Sequence, residues 1–257
     1  MSDLPPPPPP NMGPPPGYVA YGGFGALQGT FKKIGVLTKW LVALLIGTFA
    51  IQLTSLLVQF TLRDSAADLV NNSITSSTFD DKLGLFVALA LVASALSIAQ
   101  LVILIMWTFR MAKNHLVLGR QPQSFSPGAT IAVNILGGCT LGILNFFMWR
   151  ELWKASDPES AAGDTSWKQR LVTPLLTVYL LLSLAGIVAA VALGLSGSFG
   201  PVRVGGSSAD LAKNLNDKLG YIALSGVLTL AAAGVFIVFV RQLAARHMQA
   251  TRESAPS

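Results

Sequence analysis

The chain has 257 residues, 52% of them hydrophobic and only 12% charged, with a formal net charge of +6. That charged share is about half of what soluble domains carry, which excludes an ordinary water-soluble globule. The sequence pI is near 9.7, yet Lys and Arg are dispersed at segment ends rather than gathered in a stripe, so no nucleic-acid partner is expected and the bilayer is the natural counterpart.

Nine of residues 5–16 are proline, a composition that favours polyproline II and builds no packed element. Residues 1–30 are therefore expected to be a disordered, Pro/Gly-rich cytoplasmic tail, either a solubilising leader or a docking tail for a proline-recognising partner. The opening MSDLPPPPPP has neither a basic start nor an apolar stretch, so no cleavable signal is expected.

Five stretches then carry no charge at all: 40–62, 83–109, 121–149, 171–202 and 219–240. An apolar helix needs about 20 residues to cross a bilayer. If four cross and 121–149 does not, thirteen of the eighteen Lys and Arg lie on the side of the N-terminus. If all five cross, the two sides share them equally. The positive-inside rule then favours four spans, at about 36–62, 83–109, 171–195 and 219–240, with both termini cytoplasmic in a plasma membrane. Trp40, Trp107, Trp149, Trp153 and Trp167 would all fall at that cytoplasmic interface as an aromatic belt.

The remaining run, 128–149, is rich in glycine and holds Asn134 and Asn145. A re-entrant or interfacial segment over about 128–156 is expected, and an ordinary fifth span is the competing reading. Gly138 and Gly142 form a GxxxG pair suited to close approach of another helix. Phe146, Trp149 and Trp153 share one helical face, with Arg150, Glu151 and Lys154 elsewhere, as in an amphipathic helix at the interface. Asp157-Pro158 ends it.

Two segments resemble each other: Ala67-Asp68-Leu69, Asn72 and Asp81-Lys82-Leu83-Gly84, then Ala209-Asp210-Leu211, Asn214 and Asp217-Lys218-Leu219-Gly220. Each DKLG is read as opening a return helix, which makes two parallel-repeat helical hairpins. The fold expected is an all-α, multi-pass membrane bundle over 31–246, with four transmembrane helices and the central segment. Residues 247–257 read as a frayed, disordered polar tail.

The stretch Trp107, Arg110, Asn114 and Gly119, then Ser126-Pro127-Gly128, then Glu151-Leu152-Trp153-Lys154-Ala155-Ser156-Asp157-Pro158 resembles the bacterial membrane family called domain of unknown function 4328, common in actinobacteria. The resemblance covers roughly residues 107–158 and implies a multi-pass bacterial membrane protein with no assigned activity. The family's usual prolines in the middle apolar segment are missing between Pro127 and Pro158.

Trp107, Arg110 and Asn114 lie on one helical face. Two roles are open: anchoring, with Trp at the headgroups and Arg reaching lipid phosphate, or a polar lock in which Arg110 pairs with Glu151 and Asn114 caps backbone in the re-entrant segment. One cysteine, Cys139, forbids an internal disulfide, and His115 and His247 are the only histidines, so no metal or cofactor site is expected. No nucleophile elbow, phosphate loop or paired carboxylates appear, which argues against an enzyme. No charged residue lies mid-span, where proton and ion paths need one; Gln52, Gln59 and Gln100 are the main polar groups there. The function expected is a non-enzymatic scaffold or regulator of membrane partners; the alternative is a transporter or pore for a small neutral solute. The sequence sets no oligomeric state.

Overall fold

The computed structural model describes residues 30–161, 163–195 and 208–253, with side chains outside that description between 193 and 222. Six α-helices are described: α1 (Gly35–Val70), α2 (Ser76–Val117), α3 (Pro127–Leu136), α4 (Ile143–Ala155), α5 (Pro174–Leu195) and α6 (Ser208–Thr251). Four of them, α1, α2, α5 and α6, are long and apolar enough to cross a membrane. In hydrocarbon every backbone N–H and C=O must be satisfied within the protein, and an apolar helix does this with its own i to i−4 bonds.

The helices overrun the charge-free runs. At 1.5 Å per residue, α2 with 42 residues is about 63 Å long, twice a hydrocarbon core of about 30 Å. The DKLG segment at 81–84 lies inside α2, whose N-cap is Thr75, and Ala67-Asp68-Leu69 closes α1. Ala209-Asp210-Leu211 falls instead at the start of the returning helix α6. The two similar segments therefore occupy different places in their hairpins, although the hairpin architecture itself, α1 with α2 and α5 with α6, is present. Much of residues 1–30, the connection at 196–207 and residues 254–257 lie outside the described residues, so the tail at 1–30 and the end of 247–257 have no structural reading. Residues 247–251 are the last turn of α6, with His247 fully buried, rather than a frayed end.

The central run does not make a fifth span. It breaks at 137–142 into two short helices, α3 and α4. With 10 residues, α3 is about 15 Å long, half the hydrocarbon thickness. It packs on α2, and α4 returns to pack on α2, α5 and the short 3-10 turn Ser166–Gln169. The pair enters and returns at one end of the bundle, where α1 begins and α2 and α6 end. We call this the basal end.

The main core sits there too. Ile34, Leu41, Trp107, Met111, Trp149 and Leu243 belong to one buried cluster drawn from α1, α2, α4 and α6. Where such residues lie at membrane depth, close packing rather than transfer from water is what their burial gains, because lipid tails are as apolar as leucine. A smaller cluster, Leu62, Ala66 and Phe79, seals the α1–α2 turn at the far end. Between them the spans turn outward, and the most apolar stretch of α2 buries no residue within the protein.

Candidate functional site

The basal end of α2 carries the residues singled out in the sequence. Trp107 is fully buried and its indole N–H donates to Thr38 Oγ1 at 2.8 Å. Its ring lies 6.1 Å from that of Trp149, which meets Phe236 at 5.7 Å and Phe239 at 6.0 Å. Trp149 and Trp167 are buried as well. The expected aromatic belt is thus mostly core: burial among helices satisfies these rings better than headgroups do, and Trp40 remains exposed on α1. Trp153 stacks on Phe239 and donates to the Leu171 carbonyl at 3.2 Å.

Arg110 and Asn114 lock the chain, but to other partners than expected. Arg110 donates to the Lys33 carbonyl at 2.8 Å. Asn114 accepts from the Lys32 N–H at 2.7 Å and donates to the Lys32 carbonyl at 2.9 Å. Both therefore hold the segment leading into α1, not the re-entrant segment. Glu151 does not pair with Arg110; its carboxylate accepts from the backbone N–H groups of Ser124 and Phe125 at 3.0–3.1 Å.

The two bonds to Lys32 fix the Asn114 amide, so its NH2 must face His247 Nε2, 3.0 Å away. That nitrogen accepts, which leaves the His247 proton on Nδ1. Nδ1 faces Ser156 Oγ at 3.0 Å, and Ser156 Oγ faces His115 Nε2 at 3.0 Å. The hydroxyl accepts from His247 and donates to His115. A directed chain of buried hydrogen bonds thus runs through Asn114, His247, Ser156 and His115, joining α2, the end of α4 and α6, with Lys32 ahead of α1 tied to it through Asn114.

Gly119 ends α2. It adopts φ 68°, the left-handed conformation that glycine tolerates. Gly119 N–H bonds to the Leu116 carbonyl and Arg120 N–H to the His115 carbonyl, at 3.0 and 2.9 Å, which is a Schellman closure. The closure aims the buried Arg120 side chain at the segment after α4, where it donates to the carbonyls of Ala155, Asp157, Ser160 and Ala161. Burial lowers the Arg120 pKa, opposed by the nearby carboxylates of Asp157 and Asp164. Asp157 pairs with Arg170 at 2.8 Å and with Arg246, and accepts from Ser160. Ser166 hydrogen bonds hold the Asp164 carboxyl below its usual range.

The hairpin tip follows from its glycines. Ser126 caps α3, its Oγ accepting from Ala129 N–H at 3.2 Å, with Pro127 at the first helical position. Asn134 donates to Thr108 Oγ1 on α2 at 2.9 Å. Gly138 and Gly142 do not form a helix-packing face. Both sit in or beside the turn, and a Cβ at either would meet nothing within 4 Å. Gly142 is there for its φ of 78°. The crowded position is Gly137, where a Cβ would collide with the Asn145 amide oxygen.

Two residues outside the motif complete the assembly. The Glu253 carboxylate accepts from the N–H groups of Ile34 and Gly35, both at 3.0 Å. It caps the start of α1, whose own N-cap residue Ile34 has no side chain able to do so. His247 and Glu253 were invisible to spacing arguments, because the polar end of a chain carries no periodic signal. Among the described residues, no group of three His, Cys, Asp or Glu could hold a metal ion. Ser156 lies between two histidines, yet it is fully buried and its hydrogen bonds are committed.

The architecture defines a class: an all-helical bundle with four membrane-length helices and a re-entrant hairpin, with a buried hydrogen-bonded assembly at the basal end. The family domain of unknown function 4328 (DUF4328) matches residues 71–245, from the α1–α2 turn to late α6, and the chain belongs to that family. No curated protein and no solved structure matches the chain.

Proposed function

We propose that this chain is a multi-pass protein of a bacterial plasma membrane that scaffolds or regulates membrane partners without catalysing a reaction, its basal end in the cytoplasm. One observation carries the reading. Five polar side chains of the basal end bond to main-chain groups: Asn114 on Lys32, Arg110 on Lys33, Glu151 on Ser124 and Phe125, Arg120 on 155–161, Glu253 on Ile34 and Gly35. Groups spent in this way fix a shape, which suits a docking platform; a reaction needs them free to meet a substrate. Four spans would place thirteen of eighteen Lys and Arg on the basal side, in keeping with a cytoplasmic face. The proline-rich leader joins the platform directly at Lys32 and is the segment we assign to a proline-recognising partner.

Photo-crosslinking in native membranes, with the full chain and with a chain lacking residues 1–30, tests this. A crosslinked partner lost with the leader is expected. Identical patterns from both chains would contradict the docking role.

A further inference from the structure

Midway along the bundle α1, α2, α4, α5 and α6 line a half-open cavity of about 280 Å³. Its polar lining comes from Thr48 and Gln52 on α1, Gln100 on α2, Asn145 at the hairpin tip, Ser183 on α5 and Thr229 on α6. Gln52 lies seventeen residues past the start of α1 and Gln100 seventeen before the end of α2, so both are about 26 Å from the basal helix ends. Thr48 Oγ1, Gln52 Oε1, Gln100 Oε1 and Asn145 Oδ1 are buried and have no hydrogen-bond partner among the described residues. Four orphaned polar atoms converging on one space at membrane depth are unusual, because buried polar groups are normally paired. Fixing the Asn145 side chain there also accounts for glycine at 137.

We infer that this cavity is a binding site for a small, uncharged polyol. Among the described residues no charged side chain lines it, so a net charge on the ligand would go uncompensated. Amide and hydroxyl groups present both acceptors and donors, which is the complement of a set of hydroxyls. Trp149, Tyr179 and Phe236 line it too, with Tyr179 and Phe236 stacked at 4.8 Å, and supply apolar surface for the carbon skeleton. The volume is near the lower end of small-molecule pockets, about 300–1,000 Å³, which limits the ligand to a few carbons. The inference does not rest on the scaffold reading, since partner capture and ligand binding are read by separate experiments.

The test uses the full chain in nanodiscs, with erythritol as the probe and Trp149 as the reporter. Saturable change in tryptophan emission is expected with erythritol and not with glycerate, a charged molecule of similar size. Gln100→Leu and Asn145→Leu should weaken erythritol binding at least tenfold, while Arg110→Leu, at the basal end, should leave it unchanged. Both Leu variants should melt at or above the parent temperature, because each removes an unpaired polar atom. No saturation with erythritol, equal response to glycerate, or unchanged binding in folded Leu variants would each overturn the proposal and leave a cavity that holds water only.

Discussion

Asn114 and Arg110 sit one helical turn apart on α2 and bond to adjacent residues, yet they should differ sharply in what they contribute. Asn114 is buried, makes both bonds to Lys32 and sets the proton position on His247. Asn114→Ala leaves the buried His247 ring nitrogen unpaired and frees the part-buried Lys32 N–H and carbonyl, at a cost of about 2 kcal/mol. Arg110 makes one exposed bond to Lys33, and Arg110→Leu should cost under about 1 kcal/mol. Thermal melts in one detergent compare the two; equal losses would contradict the assigned roles. The sequence shows why the face was legible and the partners were not. Spacing of three and four residues places Trp107, Arg110 and Asn114 together, but it carries no information about the element across from them. Likewise tryptophan at a span end looks the same in sequence whether it meets headgroups, as Trp40 can, or a packed core, as Trp107 does.

At the scale of the element, the re-entrant hairpin depends on glycines for two different reasons. Gly137→Ala should destabilise the hairpin by up to about 1 kcal/mol, since the Asn145 amide must turn aside from the added methyl. Gly138→Ala meets nothing and should melt near the parent temperature. The reverse order would restore Gly138 as a packing position. The GxxxG spacing was a sound helix signal applied to a segment that is not one continuous helix, and only the break at 137–142 reveals this. The start of α1 offers a second test. Glu253→Gln weakens a charged cap on Ile34 and Gly35, a change of about 0.5–1 kcal/mol. Hydrogen exchange at those two amides should speed up while exchange in the α1–α2 turn stays constant; uniform acceleration would indicate global rather than local loosening.

Across the whole molecule the bundle is asymmetric. Its packed core and its hydrogen-bonded assembly lie at the basal end, and its spans face outward elsewhere. The four spans were legible because long charge-free runs must be helical in lipid, and charge placement separated the fifth run from them. The convergence of α2, α4 and α6 on Ser156 was not legible, because it joins residues 41 and 91 positions apart in the chain. It also means Ser156 is sealed from solvent and cannot report which side of the membrane it faces. Gln121 and Glu159, exposed on either flank of the re-entrant hairpin, and Ser73, exposed in the α1–α2 turn, can. With Cys139 replaced by serine, each is changed in turn to cysteine and labelled with an impermeant thiol reagent in sealed, right-side-out and inverted vesicles. Labelling of Gln121→Cys and Glu159→Cys from one side and Ser73→Cys from the other is expected. Labelling of Gln121→Cys and Glu159→Cys from opposite sides would make the central segment a fifth crossing and contradict the account.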